Sequence, residues 1–246
     1  MGVLRYPLIL IWRVWYYVLM GMTIIVLSPF LIVYAAREEY YPKFYKFARV
    51  WAYTVTYGMG MWPEVTYRDI KNIVADPTSK VLISNHKSMI DIMLMLMVSP
   101  EPFVFVGKAE LSKLPIFGYF YKRVCILVDR NNAQSRAAVF NQAQRRIKAG
   151  TSICIYPEGG VPVDPAVKLD TFRRGAFKLA TEHNIPIQPF TFLDAEKRFP
   201  FWFFRGKPGK LRVRILAPMY PADYENGKDM MTAAHDLILA DLLKHQ

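Results

Sequence analysis

From Val14 to Ala36 the chain carries 23 residues without one formal charge, and across the larger stretch 6–36 only Arg13 breaks the apolar run. As one helix those 23 residues would extend roughly 34 Å, enough to cross a bilayer core. Pro29 interrupts the run and Gly21 sits near its middle. The pattern therefore predicts two short apolar helices that dip into one leaflet or span it as a bent element. Arg5 and Arg13 lie on one side and Arg37, Lys43, Lys46 and Arg49 follow on the other, so the basic flanks choose no orientation. Trp12, Trp15, Tyr16 and Tyr17, and then Tyr34, Tyr40, Tyr41 and Tyr45, suit the headgroup level. Two other origins for such a run are a cleaved signal peptide and a buried core helix. Tyr34-Ala35-Ala36 would pass as a cleavage site, but the run is longer than a signal peptide's apolar region and Arg13 interrupts it. Membrane attachment is the reading taken.

After Trp62-Pro63 the period changes. Residues 65–70 alternate as a half-buried strand does, and Asp76-Pro77-Thr78 reads as a turn. Short apolar strands follow at 81–84, 103–106, 125–128, 151–156, 185–192 and 211–216. Helical patterns lie between and after them, at about 89–98, 133–148, 172–183 and 230–244; the second has apolar positions at Ala137, Phe140, Ala143 and Ile147 and stops at Gly150. Strands alternating with helices predict an α/β fold with a mostly parallel sheet covered by helices. The expected division is an apolar, helical, membrane-associating segment over 1–50 and an α/β domain over 51–246.

The 246 residues are 53% hydrophobic and 15% aromatic, which excludes a disordered tail, a collagen and a coiled-coil rod. With 32 Lys and Arg against 20 Asp and Glu, the net charge of +12 favours polyanions: nucleic acid, an anionic lipid surface or phosphate-bearing substrates. The basic residues are spread along the chain rather than gathered on one helix or groove, so no nucleic-acid partner is expected. Two cysteines make no disulfide framework, no C-x-x-C or H-x-H spacing points to a metal, and the composition fits a reducing compartment. The tract 199–204 places four large aromatics beside Lys197, Arg198, Arg205 and Lys207. It reads either as a second membrane-touching surface or as a core strand flanked by solvated charge.

In open α/β sheets the working residues gather just past the carboxyl ends of strands. Three segments fall there: 85–91, Asp129-Arg130 and 157–160. In the first, His86 is a natural general base and Asp91 a carboxylate that can fix its tautomer. On one regular helix the two would stand about 140° apart, so they meet only if His86 lies in the turn before the helix. Ser88 and Asp91 also have the spacing of a helix capping box, which accounts for the acid without catalysis. No G-x-S-x-G elbow supplies a serine nucleophile, and Cys125 and Cys154 sit inside apolar strand runs as core thiols. That leaves His86 to activate the substrate's own hydroxyl for attack on an activated acyl group. Glu158-Gly159-Gly160 offers backbone N–H groups and an acceptor, while Arg130, Arg173, Arg174 and Lys178 offer charge for a phosphate or form a solvated face.

The order Asn85-His86-x4-Asp91, Asp129-Arg130, Pro157-Glu158-Gly159 and Ile185-Pro186-Ile187 resembles the glycerophospholipid acyltransferases of the PlsC type. Lys108-Ala109-Glu110-Leu111, Pro115-Ile116-Phe117-Gly118 and Phe172-Arg173-Arg174-Gly175-Ala176 add to the likeness. The resemblance implies an enzyme that moves a fatty acyl group from an acyl thioester, on coenzyme A or acyl carrier protein, to 1-acyl-sn-glycerol 3-phosphate, giving phosphatidic acid at a bilayer. It implies His86 as base with Asp91 as partner, and Asn85, Arg130, Glu158, Gly159 and Gly160 at the acceptor. It further implies neither cofactor nor metal, and a catalytic domain on the cytoplasmic side of the membrane. Where the family has T-R-S after E-G, this chain has Gly160-Val161-Pro162. The arginine expected there is missing, so Arg130, Arg173 or Arg174 takes the phosphate, or the acceptor is another lysolipid such as a lyso-aminolipid.

Overall fold

A computed structural model describes residues 5–67, 79–129, 132–162, 164 and 166–245. The predicted turn at Asp76-Pro77-Thr78 and the end of the predicted strand at 68–70 lie outside them. The chain opens with helix α1 (Arg5–Tyr34), a short 3-10 turn (Glu38–Tyr40) and helix α2 (Tyr41–Gly58). The break expected at Pro29 is not there. A proline removes the N–H that would bond the carbonyl four residues back, here Ile25. The Ser28 hydroxyl donates to that same Ile25 oxygen at 2.7 Å, so the carbonyl keeps a partner and the helix runs on.

Only a narrow stripe of α1 is buried: Ile9, Arg13, Tyr16, Ile24 and Leu31, one face at helical spacing. Much of the rest, including Leu8, Ile11, Val18, Ile25 and Val26, is exposed, and α1 is long and apolar enough to cross a membrane. The helix packs on α2, and Gly58 permits the contact, since a Cβ there would meet Leu19 Cδ1 at 2.8 Å. Trp12 and Trp15 donate their indole N–H to the carbonyls of Met59 and Gly58, satisfying groups that the end of α2 leaves open. Tyr16, Tyr41 and Tyr45, expected among headgroups, face inward; Tyr41 donates to Phe103 O and Tyr45 to Ser99 O. Helix α2 crosses residue 50 and places Phe44, Tyr45, Trp51 and Val55 in the same core as the sheet.

Seven strands are seen among the described residues: β1 (Met61–Tyr67), β2 (Val81–Ser84), β3 (Phe103–Lys108), β4 (Ile126–Val128), β5 (Ser152–Cys154), β6 (Ile187–Phe192) and β7 (Gly209–Ile215). Their order is β1-β7-β6-β2-β5-β3-β4. Every neighbouring pair is parallel except β6 with β7. Between and after them run α3 (Asp91–Val98), α4 (Phe117–Val124), α5 (Ala133–Lys148), α6 (Gly175–His183), the single turn α7 (Ala195–Arg198) and, after β7, α8 (Gly227–His245).

Because successive side chains of a strand face opposite ways, the central strands feed two cores. Leu82, Phe103, Cys154 and Phe190 join α1, α2 and α3 on one face. Val81, Ile83, Val104, Ile153 and Ile187 join α5, α6 and α8 on the other. The fold is a mostly parallel α/β sheet with helices on both faces. Arg49 of α2 donates to the carbonyls of Leu96 and Met97, and Tyr53 to Met97, so cation and hydroxyls close the carboxyl end of α3. That holds α3 in place, and α3 begins at Asp91.

Candidate active site

Strands β2 and β5 are parallel neighbours, so the segments leaving their carboxyl ends emerge side by side. His86 lies in the loop between β2 and α3, and Asp91 is the first residue of that helix. The turn between them brings His86 Nδ1 to 2.9 Å from Asp91 Oδ2. The same oxygen accepts the backbone N–H groups of Lys87 and Ser88, each at 2.8 Å. The N-cap of α3 is Ile90, with no side-chain cap, so Asp91 does not cap the helix; its Oδ2 holds the backbone of the preceding turn and partners the histidine at once. Asp91 is wholly buried, and its other oxygen, Oδ1, has no hydrogen-bond partner. With Nδ1–H directed at a carboxylate, the imidazole's free lone pair is on Nε2, facing away from Asp91.

Further contacts hold the ring and the backbone of His86. Its ring stacks on Tyr156 with centroids 4.3 Å apart, and Phe201 stands edge-on at 6.3 Å. Tyr156 donates its hydroxyl to the Asp91 carbonyl at 2.9 Å, tying the end of β5 to the start of α3. Glu158 accepts the His86 backbone N–H on Oε1 at 2.6 Å and the Asp170 N–H on Oε2 at 2.9 Å. Both oxygens of Glu158, which sequence patterning placed at the acceptor, thus hold backbone. Burial pushes this carboxyl up to about 7, against the downward pull of the two N–H groups. Asn85 is occupied in the same way: its side chain exchanges hydrogen bonds with both the N–H and the carbonyl of Phe192, at 2.8 and 3.0 Å, pinning β2 to the end of β6.

Gly159 has φ of +74°, a conformation that favours glycine, and the Arg173 side chain lies directly over it, where a Cβ would push it aside. The helix expected from Phe172 begins three residues later, at Gly175, because the Arg173 N–H donates to the Pro157 carbonyl at 2.8 Å. That bond carries the exposed Arg173 across Gly159. Arg174 directly precedes α6 and is exposed, with Gly160 half-buried beside Val161 and Pro162. An apolar cavity of about 200 Å3 is lined by Val106, Val139, Phe140, Tyr156, Gly159 and Arg173, among others. The structure thus groups His86, Asp91, Glu158, Gly159 and Arg173. Arg130 lies outside the described residues. Among the described residues no group of three or more His, Cys, Asp and Glu is placed to hold a metal ion.

Patterning did not single out Tyr156 or Lys87, and it gave Arg13 no structural role. Tyr156 directly precedes Pro157-Glu158-Gly159 at the strand's carboxyl end, which was its only signal. Lys87 is buried, donates its ammonium to the Val167 carbonyl and stands 3.8 Å from Glu196. Arg13, read as a membrane flank, is 2% exposed and donates to the carbonyls of Pro200, Trp202 and Arg205. The aromatic tract divides between its two readings: Phe199 is core, whereas Phe201, Trp202, Phe203 and Phe204 are exposed. Cys154 is wholly buried and its thiol is pushed far up; burial likewise pushes Cys125 up to about 12, so neither is a nucleophile near neutral pH.

Comparisons with known proteins bear on the family and the fold. A chloroplastic 1-acyl-sn-glycerol-3-phosphate acyltransferase of Brassica napus is 26% identical over 201 residues, 78% of this chain and 54% of the relative. A 1-acyl-sn-glycerol-3-phosphate acyltransferase of Cocos nucifera is 25% identical over 190 residues, covering 72% of this chain and 61% of its own. The chain thus spans little more than half the length of these two curated relatives. In fold it is similar to the crystal structure of the 1-acyl-sn-glycerophosphate acyltransferase PlsC of Thermotoga maritima, with a TM-score of 0.72 at 19% identity over 99% of this chain and 97% of that one. The family model described as Acyltransferase matches residues 64–193, from β1 to just past β6 and across the whole His86 site. The chain belongs to the acyltransferase family.

Proposed function

We propose that this acyltransferase moves a fatty acyl group from an acyl thioester to the free hydroxyl of 1-acyl-sn-glycerol 3-phosphate, giving phosphatidic acid at a membrane surface. The observation that carries the reading is the His86–Asp91 pair, held at 2.9 Å with Nε2 free. His86 Nε2 takes the proton of the acceptor hydroxyl as that oxygen attacks the thioester carbonyl. The resulting imidazolium is stabilised by the Asp91 carboxylate. Collapse of the tetrahedral intermediate breaks the carbon–sulfur bond, and the leaving thiolate takes the proton back from Nε2. One ester and one thiol are formed, and no covalent enzyme intermediate is required. Tyr156 and Glu158 are positioning residues: they hold the ring and the backbone of His86.

For the acceptor phosphate, Gly160-Val161-Pro162 supplies no cation, and Arg173 lying across Gly159 takes that place. A guanidinium binds phosphate bidentately, and losing such a contact costs roughly 1.5–3 kcal/mol, about ten- to a hundred-fold. Helix α1 rests in the bilayer, with the catalytic face on the cytoplasmic side, where the two free thiols stay reduced. The same missing cation favours a second reading, in which the acceptor is a lysolipid without a phosphate monoester. Initial rates of wild-type and Arg173→Ala protein against a panel of lysolipids separate the two. Arg173→Ala should raise KM for 1-acyl-sn-glycerol 3-phosphate at least ten-fold and leave the thioester KM unchanged. If a phosphate-free lysolipid is acylated faster, and Arg173→Ala does not discriminate, the acceptor assignment is wrong.

A further inference from the structure

Along the buried stripe of α1, position 13 falls at helical spacing between Ile9 and Tyr16, where a packed helix presents an apolar side chain. Arg13 stands there instead, fully buried. Burying a cation is unfavourable unless its donors are met. Its Nη2 donates to the carbonyls of Pro200 at 2.7 Å, Trp202 at 3.0 Å and Arg205 at 2.7 Å, and the guanidinium lies 4.0 Å from the Phe199 ring centroid. Its described hydrogen bonds all end on carbonyls, and Nε is buried without a partner. An apolar residue would hold α1 without that desolvation, so what the cation adds is the shape of the loop it grips.

That loop reaches the catalytic segment at two points. Pro200 and Trp202, whose carbonyls Arg13 holds, flank Phe201, and the Phe201 ring stands edge-on to the His86 imidazole at 6.3 Å. Immediately before Pro200, the buried Phe199 ring packs on Tyr16 and Trp12 of α1, with centroids 4.4 and 5.3 Å away. The Phe199 carbonyl accepts the Ser88 hydroxyl, and Ser88 pairs with Pro200 across an antiparallel bridge. The same hydroxyl accepts the Ile90 N–H at 3.2 Å, and the Ser88 N–H donates to Asp91 Oδ2 at 2.8 Å. That oxygen is also the partner of His86 Nδ1. An unbroken series of contacts therefore runs from the guanidinium in α1 to both members of the pair.

We propose that Arg13 is a positioning residue for the His86–Asp91 pair, and that α1 is through it part of the support of the catalytic site. Its kinetic consequence rests on the acyl-transfer reading above; the geometry does not. One nitrogen bonded to three carbonyls fixes the peptide groups on both sides of Phe201, which an ungripped loop leaves free to turn. Lysine, a point charge with three donors, meets part of that set, whereas methionine fills the space and meets none of it. Turnover is thereby coupled to the seat of α1, because a shift of the helix against the loop moves Phe201 and the Ser88 contact first. A misplacement of about 1 Å costs up to about 10²-fold in rate, even when its cause lies far from the chemistry. Arg13 is buried and meets no substrate, so its loss falls on kcat rather than on KM.

The test compares full-length wild type in detergent with Arg13→Met, Arg13→Lys, Ser88→Ala and the double variant of Arg13→Met with Ser88→Ala. The readouts are kcat with the KM of each substrate, sedimentation with vesicles of phosphatidylglycerol, and one proton resonance. That resonance is the downfield signal of the His86 Nδ1–H bonded to Asp91, assigned by its absence from His86→Ala. Arg13→Met should lower kcat by about ten-fold or more and displace the resonance, with vesicle binding unchanged. Both KM values should stay within about two-fold of wild type. Arg13→Lys should restore part of kcat and of the signal. Ser88→Ala should act in the same direction, and the double variant should lose no more than the worse single one, because both act through one loop. Wild-type kcat in Arg13→Met, a kcat loss with the resonance unmoved or with vesicle binding lost, or additive effects would overturn the proposal. Should Arg13→Met lose its thermal transition, Ser88→Ala, which leaves α1 untouched, decides: wild-type kcat and resonance there overturn the proposal, and loss of both sustains it. If wild type acylates no lysolipid, the acyl-transfer reading fails, while a resonance displaced in Arg13→Met and restored in Arg13→Lys still sustains the positioning role.

Discussion

Replacing Asp91 by Asn separates the two jobs that its Oδ2 performs. The amide can be placed in only one sense, with oxygen in the Oδ2 position, because the reverse would set N–H against the N–H groups of Lys87 and Ser88. In that sense both backbone bonds and the contact to His86 Nδ1 survive, but the NH2 fills the Oδ1 position, which is buried and offers no partner. An unsatisfied buried donor costs about 1–3 kcal/mol of stability, or roughly 2–10 °C in Tm for a chain of this size. The catalytic loss comes from charge. At an effective dielectric of about 20, unit charges 4 Å apart interact by about 4 kcal/mol. His86 keeps 17% of its side chain exposed, so water screens part of this. About 3 kcal/mol of imidazolium stabilisation remains, a loss of about 10²-fold in kcat. Single-turnover rates with saturating thioester, beside a thermal melt, read both effects. The Asn oxygen accepts the same two N–H groups of the turn. A purely structural role therefore gives near-wild-type kcat, and a change below about three-fold refutes the pair.

Two other perturbations address the supports of the site. Glu158→Gln removes a carboxyl whose folded value is about 7 against an ordinary 4.5. Between those values the folded chain binds the extra proton, so the stabilisation is full below about 4.5 and is lost as pH rises towards 7. The stability of wild type minus that of Glu158→Gln, from urea melts at pH 4 to 8, should therefore fall across that window, and a rise would reverse the assignment. For the membrane, deleting residues 1–36 is a poor test, since it strips Tyr16, Ile24 and Leu31 from the core. Substituting the exposed Ile11, Val18 and Ile25 by Glu costs about 2.5–3.5 kcal/mol for each charge held at bilayer depth. The protein should leave the membrane pellet in high salt with Tm within a few degrees; if it still sediments, Phe201–Phe204 rather than α1 is the main anchor.

Period and punctuation made much of the sheet legible. The limits of β2 and α5 match the residues from which they were read, because apolar runs bounded by turn residues have few alternatives. The turn that brings His86 to Asp91 could be read only as a geometric condition, since the spacing alone sets the two 140° apart on a helix. What pattern could not reveal was tertiary in origin. Pro29 is a break in any local reading, and only the Ser28 hydroxyl explains its continuity. Tyr41, Tyr45 and Arg49 have the composition of a membrane flank, yet their polar ends meet carbonyls of α3 and β3 and of the loop between them. Arg13 is the sharpest case, for a charge inside an apolar run reads as a boundary until the loop 200–205 supplies its carbonyls. The contact of Arg173 with Gly159 was equally invisible, because fourteen residues separate them in sequence and a single backbone bond to Pro157 joins them.

The most direct measurement is product mass after incubating purified protein with isotope-labelled acyl-CoA and 1-acyl-sn-glycerol 3-phosphate, for wild type and His86→Ala. The expected result is labelled phosphatidic acid from wild type and a loss of about 10²–10⁴-fold in His86→Ala, with its thermal melt unchanged. Absence of labelled lipid from every lysolipid offered, or equal rates for the two proteins, would contradict acyl transfer with His86 as its base.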